Sequence, residues 1–201
     1  MSIQWLKITM VNLLLLLFTC VFGDYLTFVL NHKITLIKAL SDSLTHGAIG
    51  FLCWFHVENS LKNSILCGLL AMFVDIDHFI EAKSFKLENA LKLPHRPFLH
   101  NSTIPLVLTI MVILVNFCSS KSVIFQQVKL YGSMVIVALF SHQLRDASRR
   151  GLWFGPFISS LPVPYPLYIA LTIGLCLVMK IFVTSESFLQ SKLSSNVILE
   201  V

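Results

Sequence analysis

Apolar residues gather into six runs separated by short polar stretches: Ile8–Leu30, Leu44–Val57, Ser64–Ile80, Ile104–Cys118, Leu130–His142 and Tyr165–Thr184. A helix rising 1.5 Å per residue needs about 20 residues to cross the hydrocarbon layer of a bilayer. The first, third and last runs come near that length. The second, fourth and fifth are shorter, which suits segments that neighbours cover or that re-enter from one side. The pattern predicts an all-α fold, a polytopic membrane helical bundle of five to six hydrophobic segments. Leu161-Pro162-Val163-Pro164-Tyr165-Pro166 breaks it, because each proline lacks an amide proton and clashes with the preceding turn, so this stretch is an interfacial connector. No repeat, long linker or low-complexity segment interrupts residues 1–201, which read as a single integral membrane domain. The first run follows Lys7 and reaches Val21-Phe22-Gly23, which satisfies the small-residue rule for signal cleavage. Its apolar residues continue to Leu30, however, which fits a retained helix better.

Composition supports lipid as the solvent. The chain is 56% hydrophobic and 12% charged, with mean hydropathy +0.80, and a fold of this size could not hide that much apolar surface from water. The lipid bilayer is therefore the first expected partner. A formal charge of +5 would suggest nucleic acid in a soluble protein, but the fifteen basic residues are scattered between apolar runs, and nucleic acid is excluded. All five cysteines lie in apolar runs without a CxxC pair and read as small buried hydrophobes. The protein is expected to be multi-pass, in an endomembrane. Lys33, Lys38, Lys83, Lys86, Lys92, Arg96, Arg145, Arg149 and Arg150 share one face, against Lys7, Lys62, Lys121, Lys129, Lys180 and Lys192 on the other, which favours a cytoplasmic location for the first group.

Numbering the segments alternately from side to side brings the rare polar residues onto that same face. Thr45 and His46 open the second segment, Asp75, Asp77 and His78 close the third, His95 and His100 precede the fourth, and His142 and Asp146 close the fifth. Five of the seven histidines and three of the five aspartates belong to this set, more than scattering would favour. His32, His56, Asp24 and Asp42 fall outside it, and the two histidines read as ordinary loop residues. An ionisable group at membrane depth costs about 3 kcal/mol on insertion scales, so a converging set faces water, a partner or a metal. His142 and Asp146, four apart on a helix, project to one point. Imidazole and carboxylate together suit a divalent Zn, Mn or Fe ion, and the surplus of donors can orient ligands, act as a base or hold a second ion. Arg96 is a candidate clamp for phosphate or carboxylate, whereas Arg145, Arg149 and Arg150 read as residues that orient a helix end.

Three ordered elements carry a family resemblance: Asp75-Ile76-Asp77-His78, then His95-Arg96-Pro97-Phe98-Leu99-His100-Asn101-Ser102, then Ser141-His142-Gln143-Leu144-Arg145-Asp146, with Thr45-His46-Gly47 ahead of them. Over a core of about residues 44–156 the chain resembles the LexA-binding, inner-membrane-associated hydrolase family, also called YdjM-like. Its elements are Asp-x-Asp-His, His-Arg-Gly-x-Thr-His-Ser and Ser-His-x-x-x-Asp. The chain departs from them at Pro97, Leu99 and Asn101, where the family has Gly, Thr and Ser.

The resulting expectation is a membrane-embedded, metal-dependent hydrolase of a hydrophobic ester or phosphoester. Its metal donors would be drawn from His46, Asp75, Asp77, His78, His95, His100, His142 and Asp146, with Asp77 as proton acceptor and Arg96 at the substrate. A divalent ion lowers the pKa of water from 15.7 to about 7, which is what such a site would supply. The alternative is a non-catalytic membrane scaffold or interaction protein that keeps the metal-site residues. A transporter would instead need these groups along a path across the bilayer, and their gathering at one face argues against it.

Overall fold

The computed structural model describes residues 3–30, 35–117, 122–155 and 158–199; His32, Lys33, Cys118 and Lys121 lie outside them. The helices are α1 (Ile3–Val29), α2 (Thr35–Glu58), α3 (Leu61–Phe73), α4 (Ile76–Glu81), α5 (Leu87–Leu91), α6 (Thr103–Phe117), α7 (Val123–Arg150) and α8 (Tyr165–Leu199). A 3₁₀ turn, Phe98–His100, precedes α6, and β1 (Trp153–Phe154) pairs antiparallel with β2 (Ile158–Ser159). The fold is an all-α membrane bundle. Thr9–Val29, Leu61–Glu81, Val123–Arg150 and Tyr165–Thr184 are each long and apolar enough to cross a bilayer, and α6 is a shorter apolar helix. Phe18, Phe28, Ile110 and Val178 stand exposed on the outside, as lipid-facing side chains do.

Helix α2 lies at the centre, packed against α1, α3, α7 and α8. That position explains why the apolar run Leu44–Val57 is shorter than the 24-residue helix that contains it. Neighbouring helices shield Ser41, Thr45 and His46 from lipid, so these positions need not be hydrophobic. Helix α7 extends beyond the run Leu130–His142 for a similar reason, its last two turns being polar but bundled. His56, which the sequence pattern suggested was a loop residue, is in α2 and buried. The core joins Leu16, Ile49, Trp54, Met134, Val137 and Tyr168, with the free cysteines Cys20, Cys53, Cys67 and Cys176 buried among them as small hydrophobes.

Two features place functional residues. Helices α2 and α3 touch through glycine: a Cβ on Gly68 would stand 2.8 Å from the Gly47 carbonyl oxygen, so neither position admits a side chain at this separation. The apolar run Ser64–Ile80 is also broken at Val74–Asp75. There the regular ladder gives way to i→i−3 bonds, Asp75 N–H to Met72 O and Asp77 N–H to Val74 O, each 3.3 Å. The tightened turn swings Asp75, Asp77 and His78 toward the bundle end where α2 begins and α7 finishes.

Candidate metal centre

Four histidines and three aspartates meet at that end. His46 comes from α2, Asp75, Asp77 and His78 from the α3–α4 break, His100 from the 3₁₀ turn, and His142 and Asp146 from α7. His46, His100 and His142 are buried. The innermost contact is between the Nε2 atoms of His100 and His142, 3.2 Å apart. Asp75 Oδ1 stands 3.6 Å from His142 Nε2 and 3.7 Å from His100 Nε2. Asp146 Oδ2 is 3.6 Å from His100 Nε2 and 4.0 Å from His142 Nε2. Each carboxylate thus places an oxygen within 4.0 Å of both nitrogens. Nitrogens bound at roughly 2.0–2.1 Å to one Zn²⁺ at the tetrahedral angle would lie about 3.3 Å apart. Three overlapping triads have this spacing: His46, Asp75 and His142; Asp75, His78 and His100; and His100, His142 and Asp146.

The partners of each ring fix its proton. His142 Nδ1 faces the Ala71 carbonyl at 2.8 Å, an acceptor near the frayed end of α3, so Nδ1 carries the hydrogen and Nε2 offers a lone pair. His100 Nδ1 faces Asp77 Oδ2 at 3.3 Å, which likewise leaves its Nε2 pointing inward. Two neutral rings would then meet lone pair to lone pair. Only a proton or a cation between them relieves that opposition. Both ring nitrogens of His46 are buried without a hydrogen bond; the ring stacks on His142 at 3.7 Å, and its Nε2 is 3.5 Å from Asp146 Oδ1. Orphaned buried nitrogens and aligned lone pairs fit a divalent ion.

A second set of groups holds these donors still, as metal sites generally require. Asp77 Oδ2 accepts the Leu99 N–H at 2.7 Å, and its Oδ1 lies 3.2 Å from His78 Nδ1, so this carboxylate ties the α4 start to the His100 turn. Ser43 donates to Asp75 Oδ2 at 2.7 Å, and Arg149 grips Asp146 Oδ1 at 2.5 Å. Gln143 donates to the Leu99 carbonyl at 2.9 Å, securing the loop from the opposite side. Asp77 belongs to none of the donor triads. His95 is exposed and also stands apart from them. Arg96 spends its guanidinium on main chain, donating to the carbonyls of Gly151 at 2.8 Å and of Arg150.

Sequence reasoning passed over Asp24 and Asp42, which also reach this end. Arg145, fully buried, binds Asp24 Oδ1 through Nε at 2.8 Å and Asp42 Oδ1 through Nη1 at 2.7 Å, joining α1, α2 and α7. Asp42 also pairs with Arg149 at 3.0 Å, so the clamp continues to Asp146.

Burial alone would lower the pKa of His100, but its hydrogen bonds to Asp75 and Asp77 and the nearby Asp146 charge outweigh that and lift it to about 9. The sign is favourable to the metal-free fold at low pH: the protonated ring contributes stability fully below its unfolded value of about 6.5 and loses it as pH rises through about 9. A metal needs the opposite form, so binding must expel this proton at neutral pH. Metal-free protein is expected to lose thermal stability between about pH 6.5 and 9, while apparent Zn²⁺ affinity climbs over the same window. Calorimetry in buffers of different ionisation enthalpy checks this through the proton released; affinity independent of pH across the window would contradict it.

Comparison with known proteins agrees with this architecture. The family described as YdjM inner membrane protein matches residues 42–199. The chain is similar to Transmembrane protein 267 of Mus musculus, 38% identical over 144 residues that cover 69% of this chain and 66% of the relative. It is similar to Transmembrane protein 267 of Bos taurus, 35% identical over 88% of this chain and 84% of the relative, and to that of Danio rerio, 35% identical over 72% and 70%. No solved structure matches. The family match takes in every donor of the cluster, including His46, Asp75, His100, His142 and Asp146: this integral membrane protein belongs to the YdjM inner membrane protein family.

Proposed function

We propose that the protein is a metal-dependent hydrolase of hydrophobic esters or phosphoesters, working at one face of an endomembrane. The observation that carries this reading is the pair of buried Nε2 atoms 3.2 Å apart, flanked by the carboxylates of Asp75 and Asp146. His100, His142, Asp75 and Asp146 would hold the ion, with His46 and His78 as further donors for it or for a second ion. When bound, a divalent ion makes water a nucleophile at neutral pH and polarises the substrate's oxygen. The chain's own groups do the rest. Asp77 keeps the His100 ring turned inward, Arg149 orients Asp146, and Ser43 orients Asp75.

The loop that carries the departures from the family motif is held through its main chain and through Asn101. Leu99 contributes its N–H to Asp77 and its carbonyl to Gln143. Pro97 sits at φ −65°, the value its ring imposes. Asn101 Oδ1 accepts from the Thr103 N–H at 3.0 Å and the Gly155 N–H at 3.3 Å, anchoring the loop to α6 and the hairpin.

Detergent-purified protein, stripped with a chelator and reloaded with Zn²⁺, Mn²⁺ or Fe²⁺, tests the proposal. The expected result is tight retention of one of these ions and hydrolysis of a lipid ester or phosphoester only after reloading. Retention of an ion without turnover of any such substrate would favour the scaffold.

A further inference from the structure

A cavity of about 210 Å³ opens directly beside the donor cluster. Asp75, His78 and Asp146 form part of its wall, so whatever enters it meets the centre. The opposite wall is apolar, made by Leu36 and Leu40 of α2, Phe79 of α4, and Leu87 and Leu91 of α5. Arg149 and Arg150, at the end of α7, close the remaining side. The volume lies below the roughly 300–1,000 Å³ that encloses a whole drug-sized ligand. It suits the head and the first part of a chain, with the remainder left outside in lipid.

The charges around the cavity change with the ion. Three carboxylates, Asp42, Asp75 and Asp146, line it beside two guanidiniums, Arg149 and Arg150. A divalent cation held by Asp75 and Asp146 shifts that balance toward positive and draws an anion in. Arg150 is exposed and has no carboxylate partner among the described residues, so its planar fork is open to a phosphoryl group. Arg149 is held against Asp42 and Asp146 and adds charge more than new bonds.

The elements around the mouth present exposed apolar side chains. Ile80 and Leu91 are more than half exposed and Phe85, between α4 and α5, is 99% exposed. Helix α4 ends the Leu61–Glu81 span and α5 follows it, at the level where amphipathic segments lie in the headgroup boundary. A lipid would slide its head under them without leaving the membrane.

We infer that this cavity receives a lipid with an anionic phosphoryl head, the phosphate between Arg150 and the loaded metal centre and the start of its chain along Leu40, Phe79 and Leu91. The inference rests on the metal centre proposed above and narrows its substrate class. Short-chain phosphatidate, glycerol 3-phosphate and inorganic phosphate are the probes, titrated by calorimetry into full-length protein in detergent, zinc-loaded or chelator-stripped. Phosphatidate is expected to bind the loaded protein at least about tenfold more tightly than either soluble phosphate, and the stripped protein not measurably. Arg150→Gln is expected to weaken phosphatidate about tenfold while zinc content, read by elemental analysis, stays at the wild-type level. Leu91→Gln weakens phosphatidate and leaves glycerol 3-phosphate unchanged.

Soluble phosphates that bind as tightly as phosphatidate would assign the cavity to a water-borne phosphoester and overturn the inference. So would an Arg150→Gln variant that keeps full affinity, or stripped protein that binds as well as loaded. Wild-type protein that retains none of zinc, manganese and iron overturns this inference together with the metal centre, whereas metal-loaded protein indifferent to phosphatidate overturns this inference alone.

Discussion

Replacing His142 with alanine is expected to reduce metal affinity by more than about 100-fold and to leave purified protein with little or no ion. Removal of a group that merely supports a ligand costs about 10–100-fold in comparable sites, and a donor that faces the ion directly should cost more. His142 contributes twice over: Nε2 points at His100 Nε2, and Nδ1 is committed to the Ala71 carbonyl. No other side chain can supply both. Asp77→Asn makes a graded comparison. It keeps the shape but gives His100 Nδ1 an uncharged partner, so affinity should fall about 10–100-fold without vanishing. His56→Ala is the control, a histidine equally buried in α2 but at its other end. Elemental analysis of the wild type and these three proteins should rank them wild type and His56→Ala, then Asp77→Asn, then His142→Ala. Equal metal in all four would end the ligand assignment.

The second large effect belongs to Arg145→Ala. This arginine is fully buried and binds Asp24 and Asp42 from two other helices, so truncating it leaves Asp24, within the α1 span, without its cation and Asp42 with Arg149 alone. Breaking a buried ion pair by removing one partner costs about 3–5 kcal/mol, because the remaining charge has neither water nor a counter-ion. For a chain of this size that corresponds to a fall of about 10 °C in apparent melting temperature. Cys53 and Cys67, wholly inaccessible in the fold, report the transition to a thiol-reactive dye on heating. Adding Asp24→Asn to Arg145→Ala should restore part of the loss by removing the stranded charge. A single variant that melts within about 2 °C of wild type would show the clamp to be stabilising nothing.

These two predictions differ in how far the primary structure alone could have led to them. His142 with Asp146, and Asp75 with His78, announce themselves by helical spacing and by the improbability of ionisable groups in apolar runs. The Arg145 clamp does not. Asp24 is 121 residues from Arg145 and sits in an otherwise lipid-compatible helix, and nothing local marks it as a partner. Spacing was also silent on roles. Asp77 and His95 looked like donors no different from Asp75 and His100, yet Asp77 turns to the Leu99 amide and His100, and His95 stays at the surface. Arg96 looked like a substrate clamp and instead ties its loop to the end of α7.

Hydropathy marked the membrane helices where lipid touches them and understated them where other helices do. α2 shows this most plainly: Ser41, Thr45 and His46 interrupt its apolar pattern because the bundle covers them, and hydropathy has no term for a neighbour.

Membrane residence, the helical class and the chemical type of the centre were determined by the sequence itself, because each depends on what a segment contains. A long apolar stretch must pair its backbone internally, and clustered imidazoles and carboxylates must be neutralised wherever they lie. The tertiary structure alone decided which nitrogens meet, which carboxylates flank them and which steadies a ring, and where the cavity opens. Those outcomes turn on differences of an ångström or two between atoms on separate helices, set by the glycine contact of α2 with α3 and the break at Asp75, and no local pattern encodes such distances.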